Sequence, residues 1–259
     1  GKFGIILIGV TSVISIICSS TFIWMLRRSY DGFSTTQNRI LLGLCVSDII
    51  FSSHYLPFGM FGPKELDYFS WNARGNMATC HITGFLNVIG GILGPFYNAS
   101  LCVLPLIIVK YQKSDEYIRN KIELFLHVVP WLIAFGWYIF SLVMGNINPN
   151  GAGTCGVTLY TRPPHCSGME DGSVTEGLFD IPCGRGNVAA AILTWLCALI
   201  IPPIVMITCL TMIYRCVLIT EKKMSSYGAR SILKDETSST PLRIPGLLKK
   251  CLLLKCSSS

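Results

Sequence analysis

Five long apolar stretches alternate with short polar ones along the 259 residues. Residues 3–26 carry no charge between Lys2 and Arg27, and residues 40–63 carry only Asp48, with His54 as a second polar intrusion. Residues 82–109 are uncharged up to Lys110. Residues 124–148 hold His127 as their one side chain titrating near neutral pH, and 187–214 are uncharged between Arg185 and Arg215. Each stretch exceeds the roughly 20 apolar residues that cross a hydrocarbon core about 30 Å thick. Helices are the expected form, because in lipid every backbone N–H and C=O needs a partner within its own segment. The alternation expected of transmembrane β-barrel strands does not occur. The pattern predicts an all-α integral membrane protein, a bundle of five transmembrane helices over residues 1–218. A polar, Ser/Thr-rich segment, 219–259, follows and is expected to be cytoplasmic and largely disordered. The first stretch is too long for a signal-peptide core and ends in Arg27-Arg28, so it reads as a span.

Composition sharpens this. The chain is 51% hydrophobic and 14% charged, where a soluble domain carries about a quarter charged residues. Of its 21 Lys and Arg, 16 lie after the first stretch, after the third, or from Arg215 onward. Such bias places those segments in the cytoplasm and the N-terminus outside, with the plasma membrane the expected location. The asymmetry accounts for the net charge of +7, and no nucleic-acid partner is expected.

Among the twelve cysteines, Cys80, Cys155, Cys166 and Cys183 fall in or beside the predicted outer loops. An oxidising compartment allows them up to two disulfides, in any of three pairings. Their spacings do not fit the close ligand pairs of a zinc site, so no metal site is expected of them. The outer loop 145–186, with Glu170, Asp171, Glu176 and Asp180, is long enough to act as an ordered lid. His54, His81, His127 and His165 show no pairing with a nucleophile, and neither a phosphate loop nor an HExxH motif occurs, so an enzyme is not expected. At the C-terminal end, Cys251 and Cys256 sit in a short basic, apolar piece suited to an acylated interfacial segment.

Polar groups inside the spans are candidates for function. Asp48 costs about 3 kcal/mol at a helix centre, so it should face the bundle interior with partners. It is either a structural hydrogen-bond hub or a cation or proton switch. Ser19, Ser20, Asn87, Asn98 and Ser100 are its candidate partners from neighbouring spans, and Ser20 is grouped with Asp48 as a candidate ion site. Gly90, Gly91 and Gly94 permit close helix approach. Pro95 and the Pro202-Pro203 pair should distort their helices.

The stretch NRILLGLCVSDIIF (38–51) resembles the second helix of rhodopsin-like G-protein-coupled receptors, with Asn38 and Asp48 at that family's spacing. Trp71 and Gly75 before Cys80 resemble the family's first extracellular loop. Trp131 falls at the usual interval after that cysteine, and Pro202 in the fifth span also fits. The resemblance covers about residues 5–218, as five of seven helices, and is nearest to a divergent, protist-type member like the slime-mould cyclic AMP receptors. The first helix has Ser19-Ser20 where the family has Gly-Asn. Leu104-Pro105-Leu106 stands where the Asp-Arg-Tyr motif belongs, and no sixth or seventh helix follows.

The resemblance implies an incomplete seven-helix receptor fold, from a fragment or a truncated gene product. It implies an extracellular ligand, not identified, and a heterotrimeric G protein as transducer. It further implies a Cys80–Cys183 disulfide, which leaves Cys155 and Cys166 as a second candidate pair, and a sodium-linked, activation-coupled carboxylate at Asp48. Two other readings remain open on the residues alone. One is a transporter or channel subunit using Asp48 and the polar third span as an ion path; the other is a non-signalling membrane scaffold.

Overall fold

The computed structural model describes residues 2–56, 60–64, 72–149, 154–157 and 187–235, with the side chains of 223–235 excepted. Five long helices dominate: α1 (Lys2–Arg28), α2 (Thr36–Ser53), α3 (Met77–Tyr111), α4 (Asp115–Val143) and α5 (Val188–Asp235). Within α4, residues Ile118–Ile122 form a π-helical turn. Two short antiparallel strands, β1 (Ile147–Pro149) and β2 (Cys155–Val157), make a hairpin between α4 and α5.

Helix α3 is the hub. It packs against α2, α4, α5 and both strands, while α1 packs on α2. Its central residues Ile89, Leu93 and Tyr97 form the core with Ile40 of α2, Ala134 of α4 and Ile147 of β1. Of its most apolar window 39% is buried, against 11–17% for α1, α4 and α5. Those three therefore present mostly apolar side chains outward, as lipid-facing helices do. Gly90 sets the α2–α3 distance: a Cβ there would lie 2.5 Å from the backbone nitrogen of Phe51.

Four helices, α1, α3, α4 and α5, are each long and apolar enough to cross a membrane, and the chain is an integral membrane helical bundle. The fifth, α2, is only 18 residues, about 27 Å at 1.5 Å per residue. It holds Thr36, Gln37, Asn38 and Arg39 in its first turn and Ser47, Asp48, Ser52 and Ser53 beyond. It packs against both α1 and α3.

The boundaries differ from expectation in three places. Helix α2 stops at Ser53 rather than continuing to 63, because Pro57, Gly59, Gly62 and Pro63 follow. Pro63 instead forms a parallel bridge with Gly75 ahead of α3. Helix α4 starts at Asp115, nine positions before its apolar run, with Ser114 capping it through the Tyr117 N–H. Helix α5 continues through 219–235, a stretch expected to be disordered. No proline interrupts it before Pro241, and Glu221, Lys222 and Lys223 are good helix formers. Residues 236–259, with Cys251 and Cys256, lie outside the described residues.

Candidate functional site

The bundle has two structured ends. At one, the hairpin lies across the start of α3. Asn76 and Thr79 close a capping box that begins α3, and one turn later Cys80 is disulfide-bonded to Cys155 of β2, with Cα atoms 5.2 Å apart. This corrects the expected pairing. Cys80 is not joined to Cys183, and Cys155 is not available to Cys166. Strand β1 begins four residues after α4 ends, so the hairpin folds straight back over α3. Its register sets Cys155 opposite Pro149 and Ile147 opposite Val157. Gly84 of α3 leaves room for Ile147, and Asn87 Nδ2 donates to the Cys155 carbonyl at 3.2 Å. Cys166, Cys183 and Trp71 lie outside the described residues.

Beside the hairpin, Asn146 ties the end of α4 to the start of α5. Its N–H donates to the Ser141 carbonyl at 2.9 Å and its Nδ2 to the Asn187 carbonyl at 3.3 Å. Asn187 caps α5 by accepting from the Ala190 N–H at 3.0 Å. His54, just past α2, is fully buried against the rings of Phe51 and Tyr55.

The other end is held by Arg39 of α2 and Glu123 of α4. The guanidinium forks onto the carboxylate, Nε to Oε1 and Nη2 to Oε2, the latter at 2.6 Å. Thr36 donates to the same Oε2 at 2.9 Å, and Arg39 Nη1 donates to the Ser34 carbonyl at 2.8 Å. Asn38 Nδ2 donates to the Gly32 carbonyl at 2.7 Å, which secures the α1–α2 turn. Arg39 is one of the basic residues that follow the first apolar stretch, where the sequence marks it only as a flanking charge, and Glu123 carries no mark at all. Opposite charges at the starts of two apolar runs that begin on the same predicted side were the available signal. Arg39→Ala should lower the thermal midpoint in detergent by more than Lys2→Ala does, a loss of about 1.5–3 kcal/mol for a charged hydrogen-bonded pair. Glu123→Gln, which keeps one acceptor, should lose less.

Asp48 does not face the interior. It is exposed, and it forms no hydrogen bond or ion pair with any described residue. Its neighbour Ser47 takes the buried position and donates to the Leu44 carbonyl at 2.7 Å. Ser20 is also exposed and shares no hydrogen bond with Asp48. Among the described residues no three His, Cys, Asp or Glu converge, at Asp48 or elsewhere. Trp131 packs on the core and stacks on Phe135 at 5.6 Å between centroids, and Pro202 is fully buried within α5. Tyr97 OH and His127 Nδ1, 3.3 Å apart, link α3 to α4.

No protein-family model matches this sequence, and no curated protein matches it. Among solved structures the chain is similar to the crystal structure of squid rhodopsin, with a TM-score of 0.61 and 16% identity over 88% of this chain. The bundle has a rhodopsin-like fold. The chain spans 59% of the length of that rhodopsin chain. In the rhodopsin-like bundle the hairpin and its disulfide occupy one end of α3, and the Arg39–Glu123 pair holds the other.

Proposed function

We propose that this chain forms the helical bundle of a receptor of the G-protein-coupled type, set in the plasma membrane with its N-terminus outside. Its ligand enters at the hairpin end, and its transducer, a heterotrimeric G protein, meets the Arg39–Glu123 end. The observation that carries this reading is the hairpin stapled across the start of α3 by Cys80–Cys155. It couples an outward-facing loop to the helix that touches every other packed element of the bundle save α1. A ligand that binds one packing of α3 better than another shifts the population toward that packing. Orientation follows from the Lys and Arg bias, which puts the Arg39–Glu123 end in the cytoplasm.

The transporter reading has less support. Asp48 is turned out of the bundle, and the α2–α3 seam is closed by Gly90 against Phe51 and by Gly43 against the Tyr97 ring. The test is nucleotide exchange on a panel of purified heterotrimeric G proteins, with the chain in nanodiscs and extracellular extracts as the ligand source. Extract-dependent exchange that is lost in Cys80→Ser is expected. No exchange with any G protein, alongside an intact fold by circular dichroism, would overturn the proposal.

A further inference from the structure

A cavity of 420 Å³ opens at the Arg39–Glu123 end, within the roughly 300–1,000 Å³ range of ligand pockets. Ser34 and Thr35 of the α1–α2 turn and Thr36 and Gln37 of α2 line it, together with Asp115, Glu116 and Arg119 of α4. Leu104 and Ile108 of α3 line it from behind. Arg39 and Glu123 satisfy each other nearby, but Asp115, Glu116 and Arg119 make no side-chain hydrogen bond or ion pair with any described residue. Three uncommitted charges of both signs thus surround one cavity. Arg119 sits in the π-helical turn Ile118–Ile122, a distortion that recurs at functional sites.

The cavity's depth is informative. The apolar run of α3 ends at Lys110, that of α4 begins at 124 and that of α2 at 40. The charged wall therefore stands at the edge of the hydrocarbon, while Leu104 and Ile108 reach into it. A ligand matching this surface carries an anion for Arg119, a hydrogen-bonding cation for the two carboxylates, and an apolar tail.

We infer that this cavity binds the phosphoethanolamine headgroup of a membrane phospholipid. The phosphodiester takes Arg119 through charge-assisted hydrogen bonds, and the primary ammonium donates to Asp115 and Glu116. A choline headgroup has no N–H to donate and is recognised by aromatic faces; among the described residues no aromatic side chain lines this cavity. A serine headgroup brings an extra carboxylate against Asp115 and Glu116. A glycerol headgroup offers hydroxyl donors but no cation, and leaves both carboxylates without a counter-charge.

The test reads lipid retention and is independent of any receptor activity, so its failure leaves the receptor proposal standing. The full chain is purified in detergent with equal amounts of phosphatidylethanolamine, -choline, -serine and -glycerol, and bound lipid is read by native mass spectrometry. Phosphatidylethanolamine should be retained about tenfold over the others, and Arg119→Gln should reduce that retention about tenfold, the scale of one charged hydrogen bond. The double substitution Asp115→Asn, Glu116→Gln should shift preference to phosphatidylglycerol. All three residues are exposed, so the variants should keep the parent melting curve. Equal retention of phosphatidylcholine, or unchanged retention in both variants, would overturn the inference. Displacement by soluble phosphoethanolamine at equal concentration would overturn the membrane source. Binding of a lysine-rich peptide in place of every lipid would assign the cavity to a protein partner instead.

Discussion

Gly90→Leu is expected to leave no folded α2–α3 pair, and Gly90→Ala to lose about 1–2 kcal/mol of stability. An added Cβ would meet the Phe51 nitrogen at 2.5 Å and its Cα and Cβ at 2.6 Å. Two of those atoms are backbone, so no side-chain rotation relieves the contact and α2 must move. Overpacking of this kind costs about 1–3 kcal/mol, and the better helix propensity of alanine returns only roughly 0.5–1 kcal/mol. The net is a loss. Gly91 is the matched control, because a Cβ there meets only the Phe51 ring, at 3.5 Å and beyond. Gly91→Ala should be neutral or slightly stabilising. Thermal midpoints in detergent, followed by tryptophan fluorescence, separate the two. If Gly90→Ala melts with the parent while Gly91→Ala does not, the α2–α3 seam has been assigned to the wrong glycine.

These adjacent glycines also show what a sequence conveys and what it withholds. Gly90, Gly91 and Gly94 are legible as a small-residue patch, but which of them carries the contact depends on where α2 crosses. The apolar runs likewise mark the long helices, since a stretch without charge has few alternatives inside lipid. Helix ends are harder. Lipid runs give no reason for α4 to begin at Asp115 or for α5 to continue to Asp235. Those ends are set by the Ser114 cap, by helix propensity and by where proline next occurs.

Asp48 is the instructive miss. Its cost inside a membrane predicts a partner, and that argument assumes the partner lies on the side the rest of α2 faces. Ser47, one position earlier, occupies the buried side together with Ile40 and Cys45. Asp48 itself stays exposed, although about 100° per residue sets it between Ile40 and Cys45 around the helix; the face of α2 that is covered depends on where its neighbours cross. The Arg39–Glu123 clamp was hidden for a different reason. Its members are 84 positions apart, and each reads singly as an ordinary flanking charge. Only the crossing of α2 and α4 brings the guanidinium fork onto the carboxylate.

Cys80→Ser and Cys155→Ser are each expected to lower stability by about 2–4 kcal/mol, and the double mutant by no more than either alone. The two cysteines are 75 residues apart. Cross-linking a loop of that length removes about 4 kcal/mol worth of chain entropy from a freely flexible unfolded state. Here α3 and α4 stay inserted when tertiary packing is lost, so the chain between them is less free and the observed value should fall toward the lower end. Partners in one bond also couple fully, which makes the loss non-additive. Cys183→Ser should not share this loss. Non-reducing peptide mapping reads the connectivity directly, and thermal midpoints read the cycle. A Cys80 peptide linked to Cys183, or additive losses for Cys80→Ser and Cys155→Ser, would remove the hairpin from its place over α3. The receptor proposal would then lose the hairpin as its route from an outer loop to the central helix, and a Cys80–Cys183 link would return it to the pairing that the family resemblance implies.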